Sequence, residues 1–402
     1  MKSNTKKIMG YGVIIIYNRF EEMTFYQLCA EMYAGRGGFN MGSIIDYAET
    51  MEDSFTIRNI NAVDSLILSQ FAYLQFSGFV PGFSNNSEPI SIGDLAKRNN
   101  LDKLFIDVRD SQKNRRLFHA LSQSLRFRNV KLAYHVDKTD LTLEKQFSAI
   151  TYLLDNGMAY VAYRGTDSTF VGWKEDFNMA FLYPIPSQEE GVTYLNSVAG
   201  LISSDLIVGG HSKGGNIAVY SSSRCEPHIR GRITTIYSHD GPGFIPEVLL
   251  SEGYSDIQTL IQKTQPQSSV IGMLLQHQEP YKVVKSNRIW IMQHDPFSWR
   301  VEREDFLYVG TVRSSTRYTN EILNRWILSV DIKKRELFVD TLYQVVKATD
   351  AKSFHDLTDD WRKKAIAVVY SIKDIDEETR WFVLKTIGSL FILLVTNFRD
   401  PS

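Results

Sequence analysis

A serine between two glycines, at the junction of an apolar run and a helix-like segment, constrains this chain most. Leu206 to Val208 predicts a short buried strand, Gly210-His-Ser-Lys-Gly214 fits the G-x-S-x-G pattern, and Asn216 to Ser223 predicts a helix. Strand, tight turn and helix are the context of a nucleophile elbow, which exposes its serine above the end of a sheet. Glycines suit both flanks, because side chains there would collide with the neighbouring strand or helix. We therefore expect Ser212 to be a nucleophile; the alternative is an ordinary glycine-rich turn.

The segments on both sides of this turn predict further strands. Phe147 to Leu153 and Met158 to Tyr163 are rich in β-forming residues, and Asp155-Asn156-Gly157 between them is a strong hairpin signal. After the elbow helix, Arg232 to Ser238 predicts another strand. Later strand candidates are Ser269 to Leu275, Tyr281 to Val284 and Arg288 to Met292, the last two as a hairpin around Ser286-Asn287. Together these elements predict an α/β-hydrolase fold with a mostly parallel sheet.

The ends of these strands supply an acid and a base. Asp240 follows the strand after the elbow helix and precedes turn-forming residues, so it is the first choice for the carboxylate that orients a histidine. Glu279 and Asp295 are the alternative acids, although Asp295 adjoins His294 and neighbouring side chains usually diverge. His294 lies on a loop after a late strand and is the expected general base.

Other histidines keep the assignment of the base open. His239 and His277 also lie at predicted strand ends, so the alternative interpretation of His294 is a hydrogen-bonded structural histidine. With Ser212 and Asp240, His294 gives the chain order serine, acid, histidine that is typical of α/β-hydrolases.

Two main-chain N–H groups are candidates for an oxyanion hole. In an α/β-hydrolase one donor follows the nucleophile and the other lies on the loop after an early strand, which indicates Lys213 and Thr166. The alternative interpretation of Tyr163 to Thr166 is a plain strand end. The Lys213 side chain is predicted either to favour an anionic substrate or to be a solvated surface lysine.

These motifs also resemble known families. Tyr163-Arg-Gly-Thr166, with Trp173 and Asp176 after it, and Gly210-His-Ser-Lys-Gly-Gly215 resemble the pattern of class 3 (fungal-type) lipases. A second set is more specifically similar to an Mbeg-like bacterial family of lipase-like α/β-hydrolases: Ser212-Lys-Gly-Gly-Asn216, Asp240-Gly-Pro-Gly-Phe244 and Gln293-His-Asp295. The resemblance extends over Asn61 to Val301 and implies a hydrolase fold with esterase or lipase chemistry. Lys213 departs from the leucine common beside the lipase serine, and the acid position matches that of pancreatic-type lipases.

The chain divides into three predicted regions. Residues 1–145 form a helical N-terminal region that flanks or covers the site, residues 146–305 the catalytic core, and residues 306–402 a helical C-terminal region. The helical predictions rest on apolar spacing in Ile44 to Tyr47, Asn61 to Phe76, Ile90 to Asn99, Lys113 to Phe127, Asn320 to Lys347 and Trp361 to Ile372. The C-terminal region could serve as a lid, a dimerisation element or a membrane-facing cap.

Composition predicts an ordinary cytoplasmic enzyme. The 45 basic and 46 acidic residues balance, and no basic block interleaved with aromatic residues suggests a nucleic-acid partner. Cys29 and Cys225 are too few for a disulfide framework, which favours a reducing compartment.

Two apolar segments bear on localisation. Ile8 to Tyr17 follows three lysines like the core of a signal peptide, but Asn18 to Glu22 offers no small-residue cleavage site. Trp381 to Phe398 is interrupted by Lys385 and predicts a packed terminal helix, with peripheral membrane contact left open.

Two functions follow from these patterns. The first is a serine hydrolase that cleaves a small-molecule or lipid carboxylic ester through a Ser-His-Asp triad and an acyl-enzyme, which needs no cofactor and no metal. The second is a non-catalytic hydrolase-fold protein that binds or scaffolds through its helical additions.

Overall fold

A computed structural model of the protein describes residues 42–83, 88–140, 142–166, 183–269, 271–288 and 290–312, together with single residues at 175, 178, 179, 324, 377 and 380. Its strands are β1 (Ile90–Ser91), β2 (Lys131–Asp140), β3 (Lys145–Leu153), β4 (Ala159–Tyr163), β5 (Leu206–His211), β6 (Ile233–His239), β7 (Ile261–Pro266), β8 (Tyr281–Val284), β9 (Val301–Glu302), β10 (Asp305–Phe306) and β11 (Tyr308–Val309). A nine-stranded sheet has the order β1-β2-β3-β4-β5-β6-β7-β8-β11, and β9 pairs with β10.

The sheet is parallel in its middle and antiparallel at both ends. Neighbours from β4 to β8 are parallel, whereas β1 to β4 and the β8–β11 pair are antiparallel. The predicted hairpin between β3 and β4 is present, with Gly157 at φ +84°. In open α/β sheets, ligands bind beyond the carboxyl ends of parallel strands. The predicted α/β class is confirmed, and its parallel part includes β5, which ends directly before Ser212.

Helices cover both faces of this sheet. They are α1 (Ile44–Thr50), α2 (Ala62–Phe71), α3 (Ile92–Leu95), α4 (Ser111–Gln123), α5 (Pro186–Leu201), α6 (Lys213–Arg224), α7 (Pro227–Arg230), α8 (Pro246–Leu249) and α9 (Glu252–Ile257). Side chains alternate between the two faces of β4: Tyr160 packs with the core of α1, α2 and α4, whereas Val161 packs with that of α5, α6 and α9.

Capping explains where the two leading helices begin. Ser43 caps α1 in a capping box with Asp46, and Asn61 caps α2 in a capping box with Asp64. Each cap satisfies main-chain N–H groups that have no acceptor inside the helix. The predicted helices at Ile44 to Tyr47 and within Asn61 to Phe76 are therefore confirmed, with α2 ending at Phe71.

The predicted strand Ser269 to Leu275 is wrong. The strand in this part of the chain is β7, which contains the polar run Gln262 to Gln265 and so has no apolar strand signal. Lys263, Thr264 and Gln265 are nevertheless buried. Groups from other segments contact the first two: a Glu279 carboxylate oxygen lies 3.4 Å from Nζ of Lys263, and Nδ1 of His239 lies 2.6 Å from the Thr264 hydroxyl.

The predicted second strand of a hairpin, Arg288 to Met292, is also wrong. Trp290–His294 is a 3₁₀ helix, and β8 pairs instead with β11. The Arg288 carbonyl accepts from the Gln293 side-chain amide at 2.7 Å rather than from a neighbouring strand. Side-chain hydrogen bonding thus replaces a strand ladder in the segment that leads to His294.

Two further segments also differ from expectation. Strand β2 was not predicted, because its alternation is interrupted by a bulge between Ala133 and Val136, with Tyr134 at φ 54°. Of the predicted helix Ile90 to Asn99, only α3 is α-helical, because Ile90 and Ser91 pair with β2. The C-terminal helical predictions lie outside the described residues, apart from Asn324.

Candidate active site

The predicted nucleophile stands on a sharp turn between β5 and α6. Ser212 has φ 60° and ψ −131°, a conformation that is strained for a residue with a side chain. A Cβ on Gly210 would lie 2.2 Å from the Gly214 carbonyl carbon, and one on Gly214 would lie 2.1 Å from the Tyr163 carbonyl oxygen. Both positions therefore require glycine, and the turn has the geometry expected of a nucleophile elbow.

The predicted acid lies at the end of the next strand. His211 pairs with His239 in the parallel ladder of β5 and β6, and the Ser212 N–H donates to the His239 carbonyl at 2.9 Å. Asp240 follows His239 directly and is fully buried. The sheet register thus brings Ser212 and Asp240 to the same edge, on adjacent strands.

Three groups among the described residues contact the Asp240 carboxylate. Its Oδ1 accepts from the Ser269 hydroxyl at 2.5 Å and from the Gly272 N–H at 3.2 Å. Its Oδ2 lies 2.6 Å from Nδ1 of His294. The expected acid and the expected base are therefore hydrogen-bonded to each other, although 54 positions separate them in the chain.

The His294 loop is connected to the elbow through His211. Nε2 of His211 lies 2.9 Å from the His294 carbonyl oxygen, and a carbonyl only accepts, so this nitrogen carries the proton. Nδ1 of His211 then accepts from the Tyr73 hydroxyl at 3.2 Å. Burial holds the pKa of His211 well below its ordinary value, and the nearby His294 and His239 lower it further. His211 is thus a neutral link between the elbow and His294.

The two alternative acids have other partners. A Glu279 carboxylate oxygen lies 3.4 Å from Nζ of Lys263. Asp295 caps the 3₁₀ helix Pro296–Ser298, where its Oδ1 accepts from the Phe297 N–H at 3.1 Å. Of the three candidate acids, Asp240 is the one that contacts the His294 ring in the described part of the chain.

One predicted oxyanion donor lies in the elbow itself and the other on a neighbouring loop. Lys213 is the first residue of α6, so its N–H has no acceptor within that helix. A Cβ on Gly165 would be 2.6 Å from the His211 carbonyl oxygen and 3.2 Å from Cβ of Ser212. The loop that carries Thr166 therefore passes directly beside Ser212.

The Lys213 side chain differs from both predictions made for it. It is completely buried, and Nζ forms an ion pair with Glu175 at 2.7 Å. Nζ also donates to the Gln146 carbonyl at 2.9 Å. The side chain is neither solvated nor presented to a substrate, because a carboxylate from the segment after Thr166 takes up its charge.

Several residues at the site were missed from the sequence. Glu175 lies between Trp173 and Asp176, so the motif that contains these two residues was the available signal for it. Trp173 and Asp176 themselves lie outside the described residues. Gln293 belongs to the Gln293-His-Asp295 motif. Its side-chain oxygen accepts from the Ser268 N–H at 2.7 Å and so holds the loop before His294. Ser269 gave no signal, because its segment was interpreted as a strand.

The other two strand-end histidines are His239, which is fully buried, and His277, which is half-buried. His239 contacts the Thr264 and Ser65 hydroxyls at 2.6 and 2.9 Å, and burial lowers its pKa to about 3. Burial also lowers the pKa of His277 to about 4, with the Lys263 charge adding to this effect.

Within the described part of the chain, no cluster of three or more His, Cys, Asp or Glu could hold a metal ion. No described helix combines the length and the apolar character that a membrane span requires.

Comparisons with known proteins gave structural and family matches. No curated protein matches the chain. Among solved structures, the chain is similar to a Rhizomucor miehei lipase propeptide complex (16% identity, TM-score 0.32) over 48% of this chain and 66% of that one, just under two thirds. It is also similar to M37 lipase (13%, TM-score 0.33), over 52% of this chain and 68% of that one. The extracellular lipase LipA of Serratia marcescens (15%, TM-score 0.29) matches over 52% and 40% of the respective chains.

The family match covers the elbow, the acid and the histidine together. A family model described as Mbeg1-like matches residues 121–344, which is more than half of the chain. This agrees with the resemblance that the motifs around Ser212, Asp240 and His294 indicated. The chain belongs to the Mbeg1-like family.

Proposed function

We propose that this protein is a serine hydrolase that cleaves carboxylic esters through Ser212, His294 and Asp240. The observation that carries the proposal is the 2.6 Å contact between Asp240 Oδ2 and His294 Nδ1. It lies at the carboxyl ends of the parallel strands, where Ser212 occupies a strained turn. A carboxylate only accepts, so Nδ1 of His294 carries the proton, and the lone pair of neutral His294 lies on Nε2. That is the tautomer a general base needs to accept a serine proton.

The proposed reaction has two halves. His294 takes the Ser212 proton, the Ser212 oxygen attacks the ester carbonyl, and the main-chain N–H groups of Lys213 and Thr166 donate to the resulting oxyanion. The tetrahedral intermediate expels the alcohol, which takes the proton from His294, and leaves an acyl group on Ser212. Water, deprotonated by His294, then attacks the acyl carbonyl; the bond between the acyl carbon and the Ser212 oxygen breaks, Ser212 takes the proton back from His294, and the carboxylic acid leaves.

The environment of the serine favours an ester without a charge near the scissile bond. The Lys213 charge beside the nucleophile is committed to Glu175, so it does not select an anionic acyl group. Ser212 itself is only 8% exposed, which suits a substrate that leaves water as it enters. Lipid esters and small soluble esters both meet this description.

Reactivity at Ser212 tests the proposal. A fluorophosphonate probe should label the wild-type protein, whereas Ser212→Ala and His294→Ala should lose labelling because the nucleophile or its base is gone. The matched controls are Ser203→Ala, on the exposed turn before β5, and His228→Ala, on the protein surface; both should label like wild type. Circular dichroism verifies that each variant is folded.

Absence of labelling in the folded wild type, with and without detergent, would refute the hydrolase. It would favour the alternative, a non-catalytic hydrolase-fold protein that binds or scaffolds. With labelling established, the rate on an emulsified triglyceride across its solubility limit distinguishes the two substrate classes. A rate increase at the lipid–water interface indicates a lipid ester and contact with a lipid surface, while a smooth saturation curve indicates a soluble ester.

A further inference from the structure

The residue after the nucleophile ends in a fully buried ion pair. Nζ of Lys213 lies 2.7 Å from Oε2 of Glu175, and both side chains are 0% exposed. Two charges that are removed from water lose their hydration, and apolar side chains of the same size are often as stable in their place or more so. Folding stability alone is therefore a weak reason for this pair to be present.

Glu175 connects three segments of the fold. Its Oε2 also accepts from the Gln146 N–H at 3.1 Å, and its Oε1 accepts from the Ser187 N–H at 3.0 Å. Lys213 in turn donates to the Gln146 carbonyl. The pair thus joins β3, the start of α5 and the start of α6 at a single buried point.

This point adjoins the loop that carries the other proposed oxyanion donor. The Arg164 N–H donates to the Ser148 carbonyl at 2.9 Å, so β3 runs beside the chain that leads from β4 to Thr166. Gln146 lies two residues before Ser148 in the same strand. Contacts through the ion pair therefore connect Lys213, which bears one proposed donor, with the neighbourhood of Thr166, which bears the other.

We infer that Lys213 and Glu175 are a positioning pair that fixes the relative placement of the two main-chain oxyanion donors. The inference rests on the proposed function, because donor spacing matters only where an oxyanion forms. The Lys213 side chain acts through the position of its own N–H and does not contact substrate. A displaced donor weakens a bond that is strongest in the transition state, so kcat falls while KM stays nearly constant.

The test replaces Glu175 with glutamine, which removes the charge and keeps the shape. Titration with a fluorophosphonate counts the reactive serines, and hydrolysis of p-nitrophenyl butyrate is expressed per titrated serine. We expect Glu175→Gln to lower kcat per titrated serine by about tenfold to a hundredfold, with KM changed by less than about twofold. A folded Glu175→Gln with fewer titratable serines but unchanged kcat per serine would show a purely structural role and overturn the inference.

The matched control lies in a second fully buried ion pair. Arg126 and Asp64 are 2.6 Å apart and both 0% exposed, but they lie in the helical layer of α2, outside the elbow. Asp64→Asn is the same acid-to-amide change, so we expect it to lower the melting temperature without changing kcat per titrated serine. An equal loss of kcat in both variants would mean that general destabilisation explains the effect, and it would contradict the positioning role.

A second variant covers the case in which Glu175→Gln does not fold. Lys213→Met/Glu175→Gln removes both charges, so no uncompensated charge remains buried, and the same criteria apply to it. If the wild type is not titrated at all, the proposed function fails and the inference fails with it. If the wild type is titrated, and Glu175→Gln and Lys213→Met/Glu175→Gln both keep the wild-type kcat per serine, only the inference fails.

Discussion

Two walls of the candidate site are built in different ways. The elbow wall comprises β5 with the start of α6, and β6 with Asp240; main-chain ladder bonds hold it together, and glycine contacts shape its turn. The loop wall comprises the described residues between 267 and 294, where side chains supply the connections, such as the Ser269 hydroxyl on Asp240 and the Gln293 amide on the Ser268 N–H. Regular pairing fixes the first wall, and individual side-chain hydrogen bonds fix the second.

The difference determines how each wall responds to mutation. A ladder bond belongs to the main chain and survives most substitutions, whereas a loop that is held by side chains changes position when one of them is removed. The two walls meet where Asp240 contacts His294. Substitutions at that contact should therefore have the largest effect, and substitutions deeper in the loop wall a smaller one.

Asp240→Asn should cause the largest loss. An amide that donates to Nδ1 of His294 favours the tautomer with its proton on Nε2, which cannot accept from Ser212. We expect kcat for p-nitrophenyl butyrate to fall about 10⁴-fold, as for the equivalent change in other triads. Asp295→Asn and Glu279→Gln are the matched controls and should stay within about threefold of wild type. A larger loss in Glu279→Gln than in Asp240→Asn would transfer the role of the acid to Glu279.

The contrast between the walls also explains how far the sequence could predict the site. Leu206 to Val208 and the strand before Asp240 carry local apolar patterns, so the elbow wall follows from nearby residues. The loop wall has no such pattern, and β7, the strand that leads into it, is a polar run whose buried Lys263 and Thr264 need partners from distant segments. The chain order serine, acid, histidine limited the candidates for the base, but the pairing of Asp240 with His294 depends on how that loop folds.

A histidine of the elbow wall should make the fold sensitive to acid. Burial lowers the pKa of His239 to about 3 in the folded protein, below the value of about 6.5 in an unfolded chain. Between these values the unfolded state binds a proton that the folded state excludes, so stability is present above pH 6.5 and is lost as the pH falls. Each such proton lowers the free energy of unfolding by about 1.4 kcal/mol per pH unit.

Urea denaturation at a series of pH values measures this sensitivity. His239→Gln should reduce the slope of the unfolding free energy between about pH 6.5 and pH 3 by one proton. His228 has a side chain that is 71% exposed, so His228→Gln should keep the wild-type slope. If His239→Gln also kept that slope, the ring would be protonated in the folded state, and the two hydroxyl contacts would not hold it neutral.

Ser269→Ala should give the smallest of these effects and is the most direct probe of the loop wall. It removes the hydroxyl that donates to Asp240 Oδ1, while the Gly272 N–H and the His294 ring keep their contacts with the carboxylate. One charge-assisted hydrogen bond contributes about 1.5–3 kcal/mol, and the remaining donors offset part of that loss. We therefore expect kcat to fall about tenfold, with KM nearly unchanged. Ser268→Ala is the neighbouring control, because its main-chain N–H still donates to Gln293, and it should retain wild-type kcat. Equal losses in the two variants would mean that the loop wall responds to mutation as one unit rather than through the hydroxyl that donates to Asp240.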